Sequence, residues 1–139
     1  AYQDVVDRLL VKWETARKIL PLPEIQYSKS NNIGVITIGS GDAACKEALD
    51  RLTEQSIELN YCRIKAFPFA DEVKEFIEQH DVVYVVEQNR DAQLRTLLIN
   101  DIEADQRKLI SLLHYNGMPI NAGFVVDRVL EEIAKGCAA

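Results

Sequence analysis

Apolar residues along this chain fall into two patterns with different periods. Four short, mostly apolar runs have the length and composition of strands buried on both faces of a sheet: 33–38, 59–64, 82–86 and 109–113. In the segments between and after these runs, apolar residues recur every three or four positions, which predicts helices over 42–55, 70–80, 92–102 and 122–135. The regular alternation begins at Ile33 and is typical of an α/β fold.

The N-terminal segment has a helical pattern of its own. Apolar residues recur at helical spacing over 2–20, and the two prolines that follow, Pro21 and Pro23, are expected to end this helix. The connector before Ile33 is polar. Within it, 25–28 is the only candidate for a further short strand.

Strands that alternate with helices of this length are joined by right-handed crossovers and form a mostly parallel sheet. We expect a three-layer α/β/α domain with four to five strands over 25–139, preceded by a helix and linker over 1–24. Gly136 is expected to end the last helix. The runs 33–38 and 82–86 should be neighbours, which creates a switch point and a crevice at the carboxyl edge of the sheet.

Length and charge exclude several classes of function. The chain has 139 residues and a net charge of −6, so we expect no basic surface for nucleic acid. No run approaches the roughly 20 apolar residues that span a bilayer, and no signal peptide is visible. We therefore expect a cytoplasmic protein that contacts neither nucleic acid nor membrane. The chain begins with Ala1 rather than Met, so either the methionine has been removed or the chain is an excised piece of a longer protein.

Residues that commonly bind metals or perform catalysis are few. The three cysteines, Cys45, Cys62 and Cys137, are odd in number and have no C-x-x-C spacing, which argues against a disulfide framework, a zinc site or an iron–sulfur cluster. His80 and His114 have no second histidine or cysteine at ligand spacing. We expect no metal site and no catalytic residue in this chain.

A glycine-rich sequence follows the first apolar run. Gly39-Ser40-Gly41-Asp42, with the two alanines after it, fits the G-x-G-x-x-A form that brings a pyrophosphate to a helix N-terminus. Asp42 is the expected N-cap of that helix, and its carboxylate would occupy the free N–H groups and repel phosphate. Arg63 stands where an acid would bind a ribose, although an arginine can accept a 2′-phosphate. A capped turn is the preferred interpretation, and nucleotide binding is the alternative.

A second polar segment follows the central apolar run: Glu87, Gln88, Asn89 and Arg90. With the glycine-rich turn it would form the two walls of the crevice. In one interpretation, Glu87 and Asn89 are exposed contacts to another domain or a bound cofactor. In the other, Asn89 or Asp91 caps the next helix. Glu87 then pairs with Arg90 or Arg95 instead of contacting a partner.

Several motifs occur in a defined order in the last three quarters of the chain: Phe67-Pro68-Phe69, Val85-Val86-Glu87-Gln88-Asn89, Asp91-Ala92-Gln93-Leu94 and Gly117-Met118-Pro119-Ile120. Together they resemble the C-terminal region of the alpha subunit of 2-oxoacid:ferredoxin oxidoreductases, with the 2-oxoglutarate branch most similar. This resemblance implies a transketolase C-terminal-like domain, whose sheet adds an antiparallel first strand. The segment 25–28 is the candidate for that strand.

The resemblance also implies a function. The parent enzyme oxidatively decarboxylates a 2-oxoacid such as 2-oxoglutarate, forms an acyl-CoA and reduces ferredoxin, with thiamine diphosphate, iron–sulfur clusters and coenzyme A as cofactors. This chain shows no residue set for any of them, so they would be bound by the rest of the alpha subunit or by a beta subunit. The chain would be a noncatalytic assembly domain that contacts those parts directly and ferredoxin only indirectly. The alternative is a free-standing Rossmann-like nucleotide-binding or regulatory domain.

Overall fold

The computed structural model describes residues 1–28 and 32–138. Within these residues, the sheet consists of five strands: β1 (Glu24–Gln26), β2 (Ile33–Ile38), β3 (Asn60–Ile64), β4 (Val82–Glu87) and β5 (Leu109–Leu113). The α-helices are α1 (Tyr2–Ile19), α2 (Asp42–Glu54), α3 (Asp71–Glu78), α4 (Gln93–Ile102) and α5 (Ala122–Ala138). Every strand and helix that the apolar pattern predicted is present.

The strands are arranged in the order β1-β3-β2-β4-β5. The last four strands of the sequence are parallel, whereas β1 runs antiparallel to β3 and places Ile25 opposite Cys62. β2 and β4 lie side by side at the centre, as predicted. From β2 the chain crosses first to one side and then back past β2 to the other, so the switch point lies between the carboxyl ends of β2 and β4.

Helices cover the sheet on both faces, which confirms the predicted α/β architecture. On one face α2 and α5 pack against a core that includes Tyr84 and Val86 of β4. On the other face α3 and α4 pack against a core that includes Val83 and Val85. Successive side chains of β4 therefore alternate between two cores, and the strand is buried on both sides because apolar helices lie above and below it.

The prediction that Gly136 ends the last helix is wrong. α5 continues through Gly136 to Ala138. A glycine ends a helix when it adopts a left-handed conformation, and the glycines with positive φ in the described residues are Gly39 and Gly117. Gly136 keeps the helical conformation instead, at a position where an added Cβ would meet open space.

Helix α1 lies against the α/β domain only near its C-terminal end, and none of its residues is buried. Trp13 packs edge-on against Phe67, with ring centroids 5.6 Å apart. Arg17 donates two hydrogen bonds to Asp101, at 2.7 and 2.9 Å, and a third to the carbonyl oxygen of Phe69. The N-terminal half of the predicted apolar stripe is exposed to solvent: Tyr2, Val5, Leu9 and Leu10 are each more than half exposed.

Candidate functional site at the carboxyl edge of the sheet

The two predicted walls of the crevice meet in the structure. Ser40 follows β2 and Gln88 follows β4, and Nε2 of Gln88 donates a hydrogen bond of 2.8 Å to Oγ of Ser40. They meet because β2 and β4 are adjacent parallel strands, whose carboxyl ends lie at the same edge. Arg90 lies further out, where its guanidinium pairs with Asp91. The crevice is thus bridged by an exposed polar contact.

Both glycines of the turn have structural roles that need no phosphate. Gly39 and Gly41 bound a single 3₁₀ turn between β2 and α2. Gly39 has a φ of +67°, a conformation that L side chains rarely adopt. A Cβ at Gly41 would lie 2.6 Å from Oγ1 of Thr37, which is buried and donates a hydrogen bond to the carbonyl oxygen of Val86. Backbone geometry and close packing therefore account for this glycine pattern.

Asp42 is not the N-cap that the sequence predicted. It is the first residue of α2, Gly41 occupies the cap position, and no side chain caps the helix. The Asp42 carboxylate instead accepts a hydrogen bond of 2.5 Å from the Tyr61 hydroxyl and pairs with Lys46 at 3.2 Å. Burial acts to raise the pKa of Asp42, but these hydrogen bonds outweigh it and hold the pKa below its usual range.

The basic residues near this turn are paired with acids. Lys46 lies 3.0 Å from Glu24, and Arg63 lies within 4 Å of both Glu24 and Asp42. Glu24 is opposite Arg63 because β1 pairs with β3, a contact that the apolar pattern could not reveal. Arg63, the residue considered for a 2′-phosphate, is therefore already neutralised by carboxylates.

Glu87 and Asn89 cap helix α4. The carboxylate of Glu87 accepts hydrogen bonds from the backbone N–H groups of Leu94 and Arg95, at 2.6 and 3.2 Å, and from the side chain of Asn89 at 2.8 Å. Oδ1 of Asn89 accepts the N–H groups of Asp91 and Gln93. Glu87 is only 4% exposed, so the expectation that it is an exposed contact is wrong. Its predicted pairing with Arg90 or Arg95 side chains is replaced by backbone capping.

The two histidines differ in their surroundings, and the sequence assigned neither of them to a functional site. His80 is buried, and Nδ1 must carry the proton because it donates to the carbonyl oxygen of Phe76, while Nε2 accepts a hydrogen bond from Asn60. His114 is also buried and packs edge-on against Phe124, with 4.8 Å between ring centroids, but no described residue hydrogen-bonds to its ring nitrogens. It lines a pocket of about 290 Å³ beyond the end of β5.

The structure provides no clustered metal ligands in the part of the chain that it describes. No group of three or more His, Cys, Asp or Glu residues lies close enough to hold an ion there. Cys45 and Cys62 are free thiols, and burial raises the pKa of each to about 12, which makes them poor ligands and nucleophiles. Across residues 1–28 and 32–138, no helix has the length and apolar content needed to cross a membrane.

The comparisons with known proteins identify the fold. No protein-family model and no curated protein matches the sequence. Among solved structures, the chain is similar to a 2-oxoglutarate:ferredoxin oxidoreductase from Magnetococcus marinus, determined with 2-oxoglutarate, coenzyme A and succinyl-CoA bound. That alignment has a TM-score of 0.74 and 24% identity over 86% of this chain.

A second similar structure is the alpha chain of a probable 2-oxoacid ferredoxin oxidoreductase from Thermoplasma acidophilum. The TM-score is 0.55, with 24% identity over 81% of this chain and 97% of that chain. By contrast, the present chain covers only 21% of the Magnetococcus marinus protein. At identities this low, the structural similarity establishes a common fold and no more. That fold occurs in the same enzymes that the sequence motifs resemble.

Proposed function

We propose that this chain is an assembly domain of the alpha subunit of a 2-oxoacid:ferredoxin oxidoreductase. The observation that carries the proposal is the fold: it matches 86% of this chain to about a fifth, 21%, of an enzyme that acts on 2-oxoglutarate. Four ordered motifs of the sequence lead independently to the same enzymes. A domain that is one part of a large enzyme is expected to work through its contacts with the other parts.

The uncovered stripe of α1 supports a role in assembly. Tyr2, Val5, Leu9 and Leu10 lie along one helical face and are each more than half exposed, and such surfaces usually mark protein contacts. The partners would be the remaining domains of the alpha subunit and a beta subunit, and ferredoxin would be contacted only through them. The edge formed by Ser40 and Gln88 would be a second contact, since its polar groups are exposed.

The parent enzyme would oxidise and decarboxylate a 2-oxoacid, transfer the acyl group to coenzyme A and reduce ferredoxin. Thiamine diphosphate and iron–sulfur clusters would supply this chemistry in other parts of the complex. The described residues do not fit a cluster, because the buried thiols of Cys45 and Cys62 belong to two different cores. Two unpaired cysteines are also suited to a reducing compartment such as the cytoplasm.

The test uses the enzyme that carries this chain. Leu9→Lys places a charge in the stripe, whereas the control Asp7→Lys places it on the opposite, polar side of the same exposed helix. We expect Leu9→Lys to weaken co-elution of the subunits and to lower 2-oxoacid-dependent ferredoxin reduction by tenfold or more, and Asp7→Lys to retain both. A Leu9→Lys enzyme that assembles and turns over like wild type would contradict the assembly role of α1.

A further inference from the structure

The pocket beyond β5 contains a buried imidazole that the fold does not use. His114 is 7% exposed, yet no described residue donates to or accepts from its ring nitrogens. Among the described residues, Nε of Arg63 is the one side-chain N or O atom that is both fully buried and unpartnered. The ring nitrogens of His114 therefore reach solvent, and they do so through the pocket that the residue lines. His80 shows the contrasting case, with both nitrogens hydrogen-bonded inside the protein.

The other polar side chains that line this pocket, Tyr115 and Asn116, can each donate a hydrogen bond. Oδ1 of Asn116 accepts the N–H of Met118, at 3.0 Å, which leaves the NH₂ group of that amide available. The hydroxyl of Tyr115 lies on a side chain that is 62% exposed. The remaining lining residues are Leu113 and Phe124, so no carboxylate lines the pocket. A ligand that offers acceptors, and brings its own negative charge, would complement these donors.

Helix α5 begins beside the same pocket. Phe124 is the third residue of α5 and lines the pocket, and its N–H is capped by Oδ1 of Asn121 at 2.9 Å. The N-terminus of a helix of 17 residues carries a partial positive charge that favours an anion nearby. The helix end and the free imidazole therefore favour the same kind of ligand.

We propose that this pocket, the His114 pocket, binds a carboxylate group. The imidazole and the amide of Asn116 would donate to its two oxygens, and Phe124 would contact the carbon atoms behind them. The carboxylate can belong to a small free acid or to a glutamate or aspartate side chain of another polypeptide. The proposal does not depend on the parent enzyme, because it concerns a pocket formed within this chain.

Nuclear magnetic resonance of the two histidines tests the proposal directly. Titration of the chain with succinate, at fixed pH and ionic strength, should shift the side-chain signals of His114 and saturate at about 1–10 mM, as is usual for a small ligand held by a few hydrogen bonds. His80 provides an internal control, and its signals should not move. The same titration with sodium chloride should leave both histidines unchanged.

Variants and a second probe complete the experiment. Asn116→Ala removes an exposed donor and should weaken succinate binding at least threefold. His114→Phe should abolish binding, which is followed in this variant by the backbone amide signal of Phe124, a residue that lines the same pocket. Asn100→Ala removes an exposed amide on α4 and should have no effect. A capped Ala-Glu-Ala peptide that shifts the same signals identifies a protein carboxylate as the source, and binding by succinate alone identifies a free acid. The proposal would be overturned if neither succinate nor the peptide produced a saturable His114 shift, or if His80 shifted equally.

Discussion

A single buried carboxylate joins the end of β4 to the start of α4. Glu87 is the last residue of its strand, and its two oxygens accept the N–H groups of Leu94 and Arg95, which have no partner within the helix. The negative charge also lies at the positive end of the helix dipole. Glu87, which one of the two interpretations of the sequence made a partner contact, is therefore part of what holds the edge of the sheet together.

Glu87→Ala should accordingly destabilise the domain. The substitution leaves the N–H groups of Leu94 and Arg95 without their acceptor, one of them in a buried position, and we expect a loss of about 1–3 kcal/mol in the free energy of unfolding. Urea unfolding of both proteins measures the difference. Gln88→Ala is the matched control, because Gln88 is exposed and should change stability by less than about 0.5 kcal/mol. Equal stability of the two variants would show that Glu87 is not a cap.

Some of these residue-scale features could be predicted and others could not. The alternation of Val83, Tyr84, Val85 and Val86 between two cores follows from the apolar run itself, because successive strand residues point to opposite faces. The role of Glu87 depends on the N–H of Leu94, seven residues away in the chain, in the first turn of α4. That position is set by tertiary packing and is not visible in local spacing.

Among the secondary-structure elements, α1 is the one whose apolar residues are spaced as in a packed helix but are not buried in the structure. Its apolar spacing predicts the helix correctly, because local periodicity is sufficient for that. An apolar face of this kind is usually buried against a protein core, whereas the structure leaves most of it exposed. The helix is held near one end by the pairing of Arg17 with Asp101, whose side chains are each 13% exposed. A contact between residues 84 positions apart has no local signature.

This pairing should make the position of α1 depend on pH. The hydrogen bonds from Arg17 hold the pKa of Asp101 below its usual range, against the effect of burial. Because the folded-state pKa is lowered, the stabilisation is complete above about pH 4, the ordinary value for an aspartate. It is lost as the pH falls through the lower folded-state value.

Trp13 is the only tryptophan of the chain and reports on this contact through its packing against Phe67. At pH 7, Asp101→Asn should shift the fluorescence of Trp13 to longer wavelength, because loss of the ion pair lets Trp13 leave Phe67 and meet water. The wild-type protein should show this shift only in acid. Asp105→Asn is the control, because Asp105 pairs with the exposed Arg107 and has no described contact with α1. Identical emission spectra for all three proteins at pH 7 would show that the ion pair does not hold α1.

At the scale of the whole molecule, the order of the central strands could be anticipated. Alternating strands and helices require crossovers, and a reversal of crossover direction brings β2 and β4 together. The antiparallel β1 is different, because three residues provide too little pattern to be recognised alone. The residues made 25–28 a candidate strand, and its antiparallel orientation was expected only from the resemblance to a family. β1 also brings Glu24 to Arg63, so the charge balance of the candidate site depends on an element that periodicity does not predict.

That charge balance leads to a prediction about nucleotides. Asp42 places a carboxylate in the first turn of α2, and Arg63 and Lys46 are paired with acids. Because a phosphate would have to displace these pairs, we expect NAD, NADP, ATP and coenzyme A at 2 mM to change the melting temperature by less than about 1 °C. Binding with a Kd of about 20 μM would instead add about 2.7 kcal/mol and raise it by several degrees. A rise with NADP that is lost in Arg63→Ala, with NAD inactive, would favour the free-standing nucleotide-binding domain, because only NADP carries a 2′-phosphate for that arginine.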